Sequence, residues 1–82
     1  MVTVYVLEGL ENGKRYVGIT NNLERRLCEH RRKETKGGQV LGSFRLLHNE
    51  KAADYRTARK REKFLKSGSG REWLSKTYPK PS

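Results

Sequence analysis

The chain is poor in cysteine and acid and has no long apolar run, and each shortage narrows what it can be. Its single cysteine, Cys28, cannot close an internal disulfide, so the fold must stand without one and a reducing, cytoplasmic setting is expected. Cys28 itself is expected to fill space. No stretch approaches the roughly 20 apolar residues of a membrane span. The N-terminus also lacks the basic-then-apolar layout of a signal peptide, so no membrane partner is expected. There is no mononucleotide-binding glycine pattern and no internal repeat, and no small-molecule cofactor is expected. The 82 residues leave room for one domain, with a radius of gyration of about 12 Å and a modest core.

Positive charge is what the chain has in abundance. Nineteen Lys and Arg against nine Asp and Glu give a formal charge of +10, which favours a polyanionic partner through counterion release. Nucleic acid is the leading candidate, and charge alone does not separate DNA from RNA or from an anionic membrane.

"TVYVLEGL" alternates and is rich in β-branched and aromatic residues, "ENGK" supplies an Asn12-Gly13 turn, and "RYVGIT" runs back, which predicts a β-hairpin. A two-residue loop would set Gly18 opposite Leu7 and put Tyr5, Leu7, Tyr16 and Gly18 on one face. Asn21 or Asn22 caps a helix over residues 23 to 33, with Glu24 in its first turn. The loop "KETKGGQVLG" leads to a third strand in "SFRLLHNE". Asp54 caps a longer helix over residues 55 to 66, closed by a break at residues 67 to 70, and "REWLSKTY" forms a last short helix that lays Trp73 and Leu74 on the core. The order ββαβαα implies an α+β domain, a small three-stranded, mainly antiparallel sheet flanked by helices, over residues 1 to 76. Residues 77 to 82 form a frayed tail.

Several polar residues fall on inward faces. In the first helix Leu23 and Leu27 define the apolar stripe, and Arg26 lies about 60° and His30 about 20° from Leu23 at one edge of it. Taken singly, Arg26 can snorkel and His30 can be an ordinary hydrogen-bonded histidine. In the second long helix Tyr55, Ala58, Glu62 and Leu65 recur at inward spacing, so a carboxylate occupies an apolar position. An ion taken out of water costs several kcal/mol, of order, unless it is paired or coordinated. Glu62 therefore needs a cation, and the structural alternative to a site is a Glu62–Arg26 ion pair. Gly18, inside a strand, signals a close approach by a backbone, a side chain or a ligand.

Tyr5 in "VYVL", Tyr16 through Gly18 in "YVG", Arg26 and His30 in "RRLCEH", and Glu62 in "ARKREKFLK" together resemble the motif set of the GIY-YIG nuclease superfamily. The order and spacing match from residue 4 to about residue 74, most closely in the manner of the small stand-alone bacterial or phage members. The resemblance implies a metal-dependent endonuclease that hydrolyses phosphodiester bonds in DNA. It implies that Tyr16 or Tyr5 aligns or deprotonates a water, Arg26 stabilises phosphate charge, and His30 moves a proton or binds a neighbouring phosphate. Glu62 would hold a divalent metal, Mg²⁺ with Mn²⁺ as a substitute. Gly18, Arg25, Arg32, Lys33 and Lys63 are expected along the nucleic acid.

Three departures stand out. The first motif reads "VYV", Ile19 stands where some members have lysine, and no asparagine follows Glu62. A catalytically silent nucleic-acid-binding module of the same fold is the alternative reading. A structural basic protein would explain the charge but not the ordered site residues. A monomer or weak homodimer is expected, because no apolar surface stripe marks a partner copy.

Overall fold

Eight consecutive buried residues, Val2–Gly9, form the strand β1 at the centre of the molecule, and the other elements are laid against its two faces and two edges. The computed structural model describes residues 1–33, 39 and 41–80. The elements follow the expected order: β1, β2 (Arg15–Thr20), α1 (Leu23–Arg31), β3 (Phe44–Ala52), α2 (Tyr55–Lys66) and α3 (Gly68–Thr77). The sheet order is β2-β1-β3, antiparallel throughout, with a register irregularity against β3 between Val6 and Leu7. Most of the loop expected between α1 and β3 lies outside the described residues.

The hairpin differs from its expected form. Its connection is longer than two residues, because the Asn12 side chain accepts from the Lys14 amide at 2.9 Å while the Gly9 carbonyl accepts from Gly13 at 3.0 Å. Gly18 therefore pairs with Tyr5 and Tyr16 with Leu7. The register moves by two residues, which is one full side-chain period, so Tyr5, Leu7, Tyr16 and Gly18 still share a face.

Alternation along β1 divides the core. Val2, Val4 and Val6 meet Val17 of β2, Ala58 and Leu65 of α2 and Leu74 of α3 on one side. Tyr5 and Leu7 meet Leu41, Tyr16, Phe44 and the half-buried Leu23 and Leu27 of α1 on the other. Glu8, on the valine face, is buried and bridges all three strands by accepting from Arg15 at 3.0 Å and from Arg45 at 2.9 Å. Burial pushes its carboxyl up, but those two guanidinium groups outweigh burial and hold it below the usual carboxylate range.

The caps explain where the helices begin and end. Asn22 accepts from the Arg25 amide and Asp54 from the Thr57 amide. α1 stops at Arg31, earlier than expected, as the chain passes into the left-handed conformation at Lys33 (φ 60°). The break between the last helices is a single extended residue, Ser67, which ends α2 and whose hydroxyl caps α3. The helix pair turns this tightly because Gly70 lies against α2: a Cβ there would run into the Phe64 carbonyl oxygen and the Leu65 Cα.

Three further expectations are corrected. Tyr55 is 48% exposed, because it starts α2 beyond the sheet. Cys28 is exposed and fills no core space. The ordered domain continues through Tyr78, whose carbonyl accepts from Arg15 at 2.6 Å and whose hydroxyl meets His48 Nδ1 at 2.6 Å, so the tail starts later than residue 77. Trp73 and Leu74 pack on the core as expected. No helix among the described residues is long and apolar enough to cross a membrane.

The α2–α3 contact makes a direct stability prediction. Gly70→Ala should lower the unfolding free energy in urea by about 3 kcal/mol, the cost of forcing a group into a filled space. A loss below about 0.5 kcal/mol would show that the helices do not cross this closely.

Candidate active site

The face of β1 that carries Tyr5 is closed by α1, and the residues brought together there are four of those expected from the sequence. Tyr5 and His30 are fully buried. The Tyr5 hydroxyl lies 2.9 Å from His30 Nε2 and accepts from Arg26 Nε at 3.4 Å. Arg26 also donates Nη1 to Glu29 at 3.2 Å, a pairing one helical turn away that holds the guanidinium at the cluster's rim. Tyr16, half-buried on β2, completes an aromatic group: its ring centroid is 5.2 Å from that of His30, edge-on, and 6.4 Å from that of Tyr5. Phe44 packs its edge against His30 from β3, a contact no sequence pattern announces.

Proton positions follow from satisfiability. Arg26 can only donate to the Tyr5 oxygen, so among the described residues the phenolic proton has one acceptor within reach, His30 Nε2. His30 is then neutral with its proton on Nδ1. Its environment agrees: burial first, and the Arg26 charge second, push the imidazole below its ordinary value, with Glu29 opposing. Burial also raises the Tyr5 hydroxyl, the Arg26 bond works against that, and Tyr16 and the Glu62 carboxylate raise it further. Tyr5 is therefore a neutral phenol with both its hydrogen-bonding roles taken.

Gly18 is buried beneath Tyr5. A Cβ at this position would lie 2.5 Å from the Tyr5 oxygen, so the close approach expected at this glycine is made by that ring and not by a ligand. Arg25, Arg32, Lys33 and Lys63 are all exposed. Arg25 also donates to Asn21 at 3.4 Å.

Glu62 arrives from α2, with its side chain 18% exposed. The Glu62–Arg26 pair that would make it structural is not formed: Lys66, one turn on, donates to Glu62 Oε2 at 3.2 Å, and Arg26 is engaged with Glu29 and Tyr5. Glu62 Oε1 has no hydrogen-bond partner among the described residues. No group of three His, Cys, Asp or Glu gathers as a metal cage among them. One carboxylate with a free oxygen does suit Mg²⁺, which keeps most of its water and is commonly bound through one or two carboxylates.

The family model of the GIY-YIG catalytic domain matches residues 1–78. The chain is 43% identical over 67 residues to the "UPF0213 protein in VLF1-GP41 intergenic region" of Autographa californica nuclear polyhedrosis virus. That match takes in 77% of this chain and 62% of the viral protein, so the chain spans about three-fifths of that relative's length. It is also similar to the solution NMR structure of the UPF0213 protein BH0048 from Bacillus halodurans, with TM-score 0.58 and 28% identity, over 99% of this chain and 89% of that one.

The buried neutral histidine makes stability depend on pH. The folded His30 binds a proton less readily than an unfolded histidine near 6.5, so below that pH the unfolded state holds more protons and stability falls as acid is added. The urea midpoint of the wild type should therefore drop between about pH 7 and pH 5.5, well above the window in which Glu8 titrates. His30→Gln should be less stable throughout and lose most of that slope; equal slopes in the two proteins would refute the assignment of a buried neutral His30.

Proposed function

The chain belongs to the GIY-YIG catalytic domain family, and from that premise we propose that it is a nuclease that hydrolyses phosphodiester bonds in DNA. The observation that supports this most is the convergence of Tyr5, Tyr16, Arg26 and His30 on one polar cluster beneath α1, with Glu62 close enough for its charge to act on the Tyr5 hydroxyl. A structural domain of this size has no need of a buried phenol and imidazole where apolar side chains would pack at less cost.

Hydrolysis needs a water aligned on phosphorus, positive charge for the crowded phosphate oxygens, and help for the departing oxygen. Tyr16 is the phenol that retains exposed surface, so it aligns the water by accepting a hydrogen bond from it. Tyr5 and His30 have no surface to offer a substrate, and the hydroxyl of Tyr5 is committed to the imidazole. Both are positioning residues: they hold the Tyr16 ring edge-on and fix the Arg26 guanidinium. Arg26 keeps Nη2 free of described partners on a side chain that is 35% exposed, and presents it to a phosphate oxygen. Glu62 would hold Mg²⁺, or Mn²⁺ in its place, through its unpartnered oxygen with water completing the shell, and the bound ion would supply charge that polarises the phosphate.

One observation favours the second reading, a silent binding module: Lys66 already neutralises one oxygen of Glu62. Plasmid nicking by rigorously purified protein in Mg²⁺, Mn²⁺ or EDTA separates the two. Glu62→Ala and Tyr16→Phe should each lose at least about 10²-fold in metal-dependent nicking. Glu62→Ala should keep DNA binding, while Arg26→Ala weakens both binding and cleavage. Nicking that survives Glu62→Ala would sink the metal assignment, and tight salt-sensitive binding without nicking would leave the silent module.

A further inference from the structure

Four carboxylates among the described residues are buried or half-buried, and three of them are held by arginine. Glu8 gives its two oxygens to Arg15 and Arg45, Glu50 gives both to Arg61, and Glu29 gives one to Arg26. Glu62 is the exception. Its side chain is 18% exposed, and it meets a lysine, Lys66, through one oxygen at 3.2 Å. A guanidinium grips a carboxylate as a rigid planar fork, whereas an ammonium is a point charge on a flexible stem. Lys66 is 54% exposed, so that stem has solvent to swing into. Glu62 is thus held by a cation that can leave.

We propose, on the reading of Glu62 as a metal ligand, that Lys66 is a stand-in for the divalent ion: it neutralises Glu62 in the metal-free chain and gives way when the ion binds there. Lys66 cannot stay in contact once a doubly charged ion shares the carboxylate, because the two cations repel at close range. Its release costs little, since an i,i+4 pair with a half-exposed partner is weak. Lys66 also serves before the ion arrives. Glu62 is close enough to act on the Tyr5 hydroxyl, and Lys66 lines the same surface opening as Tyr16. An uncompensated Glu62 would repel a phosphodiester approaching Tyr16 and Arg26. With Lys66 in place, the metal-free site admits the nucleic acid.

A matched control lies on α3, where Glu72 and Lys76 form a pair of the same spacing at 3.0 Å with side chains 66% and 75% exposed. Two measurements on the full, metal-free chain test the stand-in. The first is Mn²⁺ binding without nucleic acid, read from the electron paramagnetic resonance signal of the free ion. Lys66→Met should tighten Mn²⁺ at least about threefold, because a competitor and a repelling charge are both gone. Lys66→Arg should be no tighter than wild type, Lys76→Met should stay within about twofold of it, and Glu62→Gln should lose at least about tenfold. The second is binding of a fluorescein-labelled DNA duplex in EDTA. Lys66→Met should bind at least about threefold more weakly than Lys76→Met, which loses the same charge, and adding Glu62→Gln to Lys66→Met should restore binding to within about twofold of wild type.

Equal Mn²⁺ affinity in wild type and Lys66→Met, with Glu62→Gln still defective, overturns the stand-in and leaves the metal reading. Wild-type Mn²⁺ binding by Glu62→Gln removes the metal reading and the displacement of Lys66 with it. A loss of duplex binding in Lys66→Met that Lys76→Met matches, or that Glu62→Gln does not rescue, overturns the role of Lys66 in the metal-free site. Tighter Mn²⁺ in Lys66→Met, in a protein that never nicks plasmid, keeps the stand-in and removes the nuclease.

Discussion

The hydrogen bond between the Tyr5 hydroxyl and His30 Nε2 is the constraint on which this side of the molecule depends. It ties the central strand to α1 through two side chains with no exposed surface, and its consequences spread outward. It dictates glycine at position 18, because the Tyr5 ring occupies the space of a Cβ. It turns the phenol oxygen into an acceptor for Arg26, while burial and then the Arg26 charge hold the His30 imidazole below its ordinary value. A net hydrogen bond contributes only about 1 kcal/mol, but leaving either buried partner unsatisfied costs about 1–3 kcal/mol. The bond therefore selects one arrangement more than it adds stability. α1 relies on it all the more because Leu23 and Leu27 are only half-buried.

The opposite face of β1 supplies the stability that the polar face does without. Val2, Val4 and Val6 pack with Ala58, Leu65 and Leu74 in an apolar layer. Its margin is stitched by charge: Arg61 of α2 makes two hydrogen bonds to Glu50 of β3, at 2.8 and 2.9 Å, and lies over the rings of Phe64 and Trp73 at 5.0 Å. That hydrogen bonding, more than burial opposes it, holds the Glu50 carboxyl below its usual range. His48 joins the same margin, edge-on to Trp73 and bonded to the Tyr78 hydroxyl. Among the described residues Glu8, Glu29, Glu50, Glu62 and Glu72 are engaged in such pairs, which leaves the surplus cations for the surface.

The element order and the sharing of faces could be read from the sequence because strand alternation and capping residues are local signals. Asn22 and Asp54 cap as their residue types dictate, and the tyrosine face survives a wrong hairpin register because the error was a whole side-chain period. The four clustered site residues were readable as a set through order and spacing. What could not be read depended on long-range packing. Whether a strand glycine admits a ligand or the molecule's own tyrosine is decided across the ladder. The partner of Glu62 is decided by a choice between Arg26 and Lys66 that periodicity leaves open, although an i,i+4 lysine was visible. His30 lies at the edge of its helical stripe by angle and yet is its most buried member, because β1 supplies a hydroxyl at that spot.

The division of labour between the two tyrosines rests on the protonation state of His30, and that state is directly measurable. Ring ¹⁵N shifts of His30 in uniformly labelled protein, followed from about pH 8 down to pH 5.5, report both tautomer and charge. A neutral ring carrying its proton on Nδ1, with Nε2 an unprotonated acceptor persisting below about pH 6.5, is the result this account predicts. A proton on Nε2, or an imidazolium already present at neutral pH, would contradict it. Tyr5 would then not be the locked donor described, and the assignment of Tyr16 as the phenol that meets the water would lose its basis.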